Sequence, residues 1–527
     1  MSTAPGPASS LHPRLTGSWR VRRPWRLWAG LLALVLAVHL LTLTTSPPFW
    51  QDEVQQVDFG RLVLEPESAW SAKWSPMTGR PIRVWSYVGP LLHEAGYRLA
   101  GGSPAGSRLA ALLGAFLAAT ALLAWLRARR LPAAAALVTA LAFLLDPLMV
   151  KSYKGGRVDG WAMAAALAAC LVLRRTEDAP APRSQVRLAL AGALAALAPL
   201  LWQSGVILYP LILLELIPLL HGTLRREGLA GVARRLGAFA GGGLLTALVV
   251  LLPLLPSAAT LIEDTRLFLA SSAGTGAPLR GLLRRLLRVD DVAGVLLMSS
   301  PLVLAGLAGL LVRRAGGMTL ALLGGYALIS LTLIYSGRVL YLLPYLAPAA
   351  ALLIAPAFAG PAATTALRSL RLVALGLAGW AVAVSLVARP LLTLRQADAR
   401  DPAGLYRMSR EVIGEGPHRV YLDRTFPLYF PGRPLGWHLY ALNWEVIGPN
   451  PDARRHLTDL FARIDVAVFE RDRIDARADS SLRASGLERL GTFCPHAADY
   501  ACPDGTAPPP AAYGPYTIYV RSGRPAP

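Results

Sequence analysis

Residues 27–53 read LWAGLLALVLAVHLLTLTTSPPFWQDE, an apolar run that ends at Thr45 and is soon followed by the carboxylates of Asp52 and Glu53. A run of about 18 or more apolar residues can cross a bilayer as a helix. This run is too long for the apolar core of a signal peptide, so we interpret it as a retained first span. The two acids would then stand where the chain leaves the membrane.

Similar apolar runs recur along most of the 527 residues, which predicts an all-α polytopic membrane protein. Short arginine clusters fall between the runs, and the positive-inside rule places all of them on the cytoplasmic side. The first exported loop is then residues 46–107. We predict about eleven spans, near residues 27–45, 108–126, 132–150, 159–173, 187–203, 205–220, 236–256, 292–312, 317–335, 339–359 and 372–390.

The net charge of +21 raises the question of nucleic-acid binding. Because the arginines lie in short clusters between apolar runs and not along one polar face, they indicate membrane topology and no nucleic-acid partner. Some basic residues remain on the predicted exported side, and these need another explanation.

The sequence divides into a basic cytoplasmic N-terminus (1–26), a transmembrane domain (27–390) and a soluble exported domain (391–527). The last part is polar and contains the strand-like pieces HRVYLD, DVAVFE and YTIYVRS, which predict a small α/β domain. An oxidising compartment would favour a disulfide between Cys494 and Cys502. A metal site is the alternative, but it needs more ligands, and His496 alone is insufficient.

Asp52 and Glu53 allow two interpretations. Acids at the start of a helix are stabilising, so the stretch QDEVQQ could simply begin one. Alternatively, one acid accepts a proton from a substrate hydroxyl while the other orients a neighbour or a metal. Adjacent helical residues point about 100° apart, so the two carboxylates cannot face each other closely on a regular helix.

Cations recur on the same predicted face of the membrane. Arg80 and Arg83 would share a face of an interfacial helix, and they suit either a phosphate group or lipid headgroups in general. The preceding stretch VQQVDFGRLVL also has a loosely helical apolar spacing that suits the interfacial plane.

Two further stretches carry ionisable or aromatic side chains at the ends of predicted spans. In KGGRVDG, Lys154, Arg157 and Asp159 either pair and cap the next helix or mark a substrate path, because ionisable residues at membrane depth are costly. Arg338 and Tyr341 stand three residues apart, ahead of two prolines that suit a helix lining a cavity.

In this order the motifs resemble the GT-C glycosyltransferases that use polyprenyl-phosphate sugars, among them the protein O-mannosyltransferases and the aminoarabinose transferases. The resemblance covers roughly residues 27–360. It rests on one span, a W-x-DE exit, GRPIRVW, AGGSPAGSRLAALLGAFLA, KGGRVDGWAMAAAL and GRVLYLLPYLAPAAALL. The sequence departs from the aminoarabinose transferases at Gln55, where those enzymes tend to carry an arginine.

The resemblance implies an inverting transfer from a lipid-linked sugar to a glycan, lipid or protein acceptor on the exported face of a bacterial-type inner membrane. Asp52 becomes the candidate base and Glu53 its neighbour. Arg80 corresponds to a lysine of the family near the donor phosphate, and the candidate donor-site residues are Arg157, Asp159, Arg338 and Tyr341.

Two other classes of function remain open. A flippase or transporter of lipid-linked glycans would also need a cationic membrane cavity, although the sequence shows no repeated halves. A non-catalytic scaffold is the third candidate. No nucleotide-binding loop is present, no cofactor is indicated, and a divalent metal held by Glu53 and Asp159 stays an open alternative.

Overall fold

Helices make up most of the described chain, as the apolar runs predict. The computed structural model describes residues 23–75, 78–177, 181–273, 300–312, 339–354, 364–442, 457–470, 476–502 and 512–523. Its α-helices are α1 (Pro24–Leu40), α2 (Gln51–Leu64), α3 (Val88–Leu99), α4 (Pro104–Ala128), α5 (Ala133–Leu144), α6 (Pro147–Lys154), α7 (Asp159–Thr176), α8 (Ala181–Leu201), α9 (Tyr209–Leu251), α10 (Ala258–Ala273), α11 (Pro301–Val312), α12 (Val339–Ile354), α13 (Thr365–Val382), α14 (Arg389–Arg395), α15 (Ala397–Arg400), α16 (Pro402–Met408), α17 (Tyr429–Gly432) and α18 (Ala476–Ala484). The strands are β1 (Trp74–Ser75), β2 (Arg80–Pro81), β3 (Arg419–Asp423), β4 (His438–Leu442), β5 (Val466–Glu470), β6 (Leu487–Phe493) and β7 (Tyr516–Arg521).

The chain is a multi-pass membrane protein. Among the described residues, four helical segments are long and apolar enough to cross a bilayer, and a fifth is added if α5 and α6, bent by 53°, count as one span. The four segments are Pro104–Ala128, Arg183–Leu201, Gln203–Thr265 and Thr365–Arg395. Their apolar side chains form one large core that also includes Trp28 and Val35 of α1.

The helices correct several predicted boundaries. The span predicted at 132–150 is broken after Leu144, and α6 continues through part of the predicted turn at 151–158 because Pro147 begins a new helix with Asp146 as its cap. The spans predicted at 205–220 and 236–256 are the two arms of α9, which meet at Gly228, where φ is 69°. The span predicted at 317–335 lies outside the described residues, as do parts of 292–312 and 339–359.

The polar C-terminal segment contains a five-stranded sheet of order β4-β3-β5-β7-β6. Strands β4, β3 and β5 are parallel, and β7 and β6 continue the sheet in antiparallel fashion. The three predicted strand pieces correspond to β3, β5 and β7, whereas the sequence analysis missed β4 and β6. A disulfide joins Cys494 to Cys502 just after β6.

Helix α2 is buried against the C-terminal segment that carries this sheet, a contact that the sequence did not predict. Every residue from Glu53 to Leu62 is buried, and Val54 and Val57 belong to the same apolar core as Phe430 and Leu439. The loop after α2 also extends the sheet, because the Ser71 amide donates to the Leu439 carbonyl at 2.8 Å and pairs with the edge strand β4. An edge strand covered in this way cannot pair with another chain.

Asp58 is the polar centre of this contact. Its fully buried carboxylate accepts hydrogen bonds from Arg61 (2.9 Å), Ser71 Oγ (2.7 Å), the Ala72 amide (2.9 Å) and the Tyr429 hydroxyl (2.9 Å). A buried carboxylate is tolerated only when it is paired and hydrogen-bonded, and these four donors satisfy that requirement. Asp58 therefore fixes α2 to both its own loop and the C-terminal segment.

The Tyr429→Phe substitution removes one of these donors and should destabilise the protein. A hydrogen bond to a charged group contributes about 1.5–3 kcal/mol, so we expect a fall of several degrees in melting temperature, measured by thermal unfolding in detergent. Tyr421→Phe is the matched control, because the buried Tyr421 hydroxyl has no hydrogen-bond partner in the described chain. We expect that variant to melt at or above the wild-type temperature. Equal destabilisation by both changes would contradict the role given to Asp58.

Candidate functional site

Two glycines bring the turn between α6 and α7 against the start of α2. The Trp50 indole nitrogen donates to the Gly155 carbonyl at 2.9 Å. A Cβ atom at Gly155 would lie 2.8 Å from the same Trp50 nitrogen, and one at Gly156 would lie 2.7 Å from Glu53 Cγ. Gly156 also has a φ of 60°, which side chains with a Cβ rarely adopt. The two glycines of KGGR are therefore required for this turn to approach Trp50 and Glu53 closely.

Glu53 forms a fully buried ion pair with Arg108 in the first turn of α4. Arg108 donates from Nε and Nη2 to the two carboxylate oxygens at 2.7 and 2.8 Å, and the two side chains are 1% and 0% exposed. Arg108 also donates to the carbonyls of Leu43 and Pro47, each at 2.7 Å. Burial raises the pKa of the Glu53 carboxyl, and the charge of Arg108 opposes this shift. Both oxygens of Glu53 are thus occupied, and the ion pair holds together α2, α4 and the segment that follows α1.

Asp52 points elsewhere and meets Arg157. The Arg157 guanidinium donates to Asp52 and, through Nε, to Asp159 at 2.6 Å. Asp159 is fully buried at the start of α7 and also accepts from Ser152 Oγ and Tyr345 OH, both at 2.7 Å. The Asp52 side chain is 28% exposed. The pairing that the sequence allowed between Arg157 and Asp159 is present, and it also includes Asp52.

Further cations surround this network. Lys154 is buried and donates to Thr42 Oγ1 at 2.5 Å, while the charges of Arg108, Arg389 and Arg400 act on its ammonium. Lys151 stands over the Trp50 ring, 5.9 Å from its centroid. The positive charges near the network therefore exceed the negative ones, which favours an anionic ligand there.

Sequence reasoning missed several members of the site. Arg108 could have been found, because an arginine one turn inside an apolar run is costly unless it is paired. Tyr345 lies one helical turn after the predicted Tyr341. His93 is fully buried on α3, and burial lowers its pKa to about 3, while the charge of Asp159 and a hydrogen bond to the backbone of Gly156 oppose this shift. Arg389 and Arg400 come from a distant part of the chain and carried no local signal.

Arg80 and Arg83 do not lie on a helix, which corrects the predicted shared face. Arg80 belongs to strand β2, and α3 begins only at Val88. Arg80 pairs with Glu263 at 2.6 Å and with Asp264 at 2.9 Å, both on α10. The Arg83 amide donates to Asp264 at 2.9 Å.

The remaining predicted residues are only partly placed. Arg338 lies outside the described residues, and Tyr341 is in α12, the helix that brings Tyr345 to Asp159. Within the described ranges, no three His, Cys, Asp or Glu side chains gather to hold a metal ion. Glu53, one of the two suggested ligands, is already bound on both oxygens by Arg108.

Comparison with solved structures assigns the fold. The apo structure of ArnT from Cupriavidus metallidurans matches with a TM-score of 0.53 and 16% identity, covering 94% of this chain and 98% of that one. The arabinofuranosyltransferase AftD from Mycobacteria matches with a TM-score of 0.54 and 15% identity, and the match covers 95% of this chain but only 40% of AftD. No protein-family profile and no curated protein sequence matches. The chain therefore has the fold of the GT-C glycosyltransferases.

Replacing the two adjacent acids should destabilise the protein to very different extents. Glu53→Gln leaves the guanidinium of Arg108 buried without its counter-charge, which typically costs about 3–5 kcal/mol, so we expect a large fall in melting temperature. Asp52→Asn changes a partly exposed pair and should cost at most about 1 kcal/mol. Thermal unfolding of both variants in the same detergent measures the difference. Similar melting temperatures for the two would show that Glu53 is not the structural member of the pair.

Proposed function

We propose that this protein is an inverting glycosyltransferase that moves a sugar from a polyprenyl-phosphate carrier to an acceptor on the extracytoplasmic face of a bacterial-type inner membrane. The observation that carries the proposal is the difference between the two acids: Glu53 is sequestered, whereas Asp52 stays 28% exposed beside a cluster of cations. In this proposal residues 27–390 form the transmembrane catalytic domain, and residues 391–527 form a soluble exported domain.

The chemistry assigns a distinct task to each side chain. The acceptor oxygen attacks the anomeric carbon of the donor sugar from the side opposite the phosphate, and the carbon–oxygen bond to the phosphate breaks. Polyprenyl phosphate leaves with the bonding electron pair, and Asp52 accepts the proton of the acceptor hydroxyl. Arg157 holds Asp52 in position, because Asp159 fixes the guanidinium from the other side. If the acceptor is itself a phosphate, Asp52 serves binding alone.

The leaving phosphate gains a negative charge as the bond breaks, and fixed cations stabilise that charge. Among the residues predicted from the sequence, Lys154 and Arg157 are the candidates for this role in the network around Asp52. Lys151, Arg389 and Arg400 add further positive charge to the same region. We propose that Arg80 and Arg83 form a second cationic cluster that binds the donor phosphate. In the structure, the Arg80 guanidinium is paired with the carboxylates of Glu263 and Asp264 on α10. Arg338 and Tyr341 complete the proposed donor-site residues.

The fold supports the proposed class of reaction. AftD, one of the similar structures, is named as an arabinofuranosyltransferase. Because the sequence identity to AftD is only 15%, neither the sugar nor the acceptor of AftD is assigned to this chain. The proposed donor is therefore defined only by its polyprenyl phosphate, and the acceptor by a nucleophilic oxygen on a glycan, a lipid or a protein.

Asp52→Asn should lower sugar transfer by about 10²–10⁴-fold, the usual contribution of a general base. The assay uses proteoliposomes, a panel of synthetic polyprenyl-phosphate pentoses and hexoses, and quantitation of released polyprenyl phosphate. Glu67→Gln is the matched control, since Glu67 is an exposed carboxylate of the same loop. A donor consumed equally fast by wild type and Asp52→Asn would remove Asp52 from the mechanism. Movement of the intact donor across the bilayer without release of polyprenyl phosphate would favour a flippase.

The glycosidic bond of the product should have the opposite anomeric configuration to that of the donor. A single in-line displacement by the acceptor oxygen requires this, because no protein-bound sugar intermediate is formed. Proton NMR of the purified product gives the configuration from the coupling constant at the anomeric carbon. Retention of configuration would contradict the direct displacement and would require a nucleophile on the protein.

A further inference from the structure

Three helices run from the candidate site to the opposite side of the molecule. Helix α4 begins beside Arg108 and its 25 residues extend about 37 Å, while α7 begins at Asp159 and ends at Thr176. Helix α1 ends just before Thr42, which binds Lys154. The far ends of these helices therefore lie about one bilayer thickness, roughly 30 Å, from the candidate site.

A cavity of about 420 Å³ opens at these far ends. It has the size of a small-ligand pocket, and its charged lining consists of four guanidiniums and one carboxylate, a net charge of +3. The lining residues are Pro24, Trp25, Ala124, Arg127, Ala128, Arg130, Arg174, Arg175 and Glu177. We call this cavity the distal arginine pocket.

Only part of this positive charge is satisfied from within the protein. Arg174 pairs with Glu177 at 2.8 Å, and the Arg127 guanidinium donates to the Leu131 carbonyl. The exposed guanidiniums of Arg130 and Arg175 have neither an ion pair nor a hydrogen bond with any other described residue. The distal arginine pocket therefore presents two guanidinium groups whose donors have no partner among the described residues. Each can donate two parallel hydrogen bonds to two oxygens of a phosphate.

We propose that the distal arginine pocket binds the phosphate headgroup of an anionic membrane phospholipid. Basic pockets between membrane helices are suited to such headgroups. Trp25 lines the pocket and is 49% exposed, so an apolar side chain of the kind that sits at membrane interfaces stands beside the arginines. The headgroup would meet the arginines while its chains follow the helix into the bilayer.

The chain's own N-terminal residues are a poor alternative occupant. Residues 1–22 contain three arginines and no aspartate or glutamate, so they would add positive charge to the pocket instead of neutralising it. A free inorganic anion would satisfy the guanidiniums but would leave the apolar side chain of Trp25 uncovered. A phospholipid satisfies both parts of the surface.

The test is a lipid titration of the purified full chain in a neutral detergent, with the rise in melting temperature as the readout. Short-chain phosphatidylglycerol should raise the melting temperature of the wild type, and short-chain phosphatidylcholine should not. The variant with Arg130→Gln and Arg175→Gln should bind phosphatidylglycerol roughly thirtyfold more weakly, because it loses two basic residues near the membrane surface. Wild-type affinity in that variant would overturn the proposal.

The matched control replaces Arg225 and Arg226 by glutamine. Both are exposed, lie at the end of the first arm of α9 before Gly228 and do not line the pocket, so this variant loses the same charge and should keep wild-type affinity. An equal loss in the control would mean that general charge attraction accounts for the effect, against the proposal. Inorganic phosphate that raises the melting temperature as much as the lipid would show a free-anion site instead. If the double variant does not fold, Arg130→Gln and Arg175→Gln are titrated singly, and wild-type affinity in both would overturn the proposal.

Discussion

An arginine buried at the mouth of a membrane helix needs a counter-charge, and Arg108 finds it in Glu53. With two charge-assisted hydrogen bonds to the carboxylate and two more to the carbonyls of Leu43 and Pro47, the guanidinium connects α4 to α2 and to the segment between α1 and α2. Breaking such a pair leaves an uncompensated buried charge, which is far costlier than losing a surface contact. The start of α2 is therefore fixed relative to α4 and to the segment that follows α1, and the rest of the candidate site is built from that position.

Fixing Glu53 also determines where Asp52 can point. Adjacent residues on a helix diverge by about 100°, so a carboxylate that faces Arg108 turns its neighbour toward a different element. That element is the turn containing Arg157, which can approach only because Gly155 and Gly156 have no Cβ atoms. Asp159 then holds the other side of the Arg157 guanidinium. Asp52 and Glu53 are adjacent in the sequence, but they have different environments because one pairs with Arg157 and the other with Arg108.

Local signals predicted much of this arrangement, and long-range contacts account for the errors. The start of α7 at Asp159 and the strands β3, β5 and β7 followed from patterns within a few residues. The error at Arg80 was avoidable, because a residue before proline is disfavoured in helical conformation and Pro81 follows it. The burial of α2 was not predictable in the same way: its partner Tyr429 is 371 residues from Asp58 along the chain. The partners of Arg80 on α10 are similarly remote in sequence.

Helix α2 carries three acids, and their partners explain how the helix is held in place while one carboxylate stays accessible. Glu53 attaches one side to the membrane helices through Arg108, and Asp58 attaches another side to the C-terminal segment through Tyr429. Both carboxylates are fully buried, and their oxygens are occupied by donors from the protein. Asp52 alone among the three keeps part of its surface accessible. A side chain has a defined place only when its support cannot move, so the two inaccessible acids are the reason that Asp52, the proposed base, is held in position.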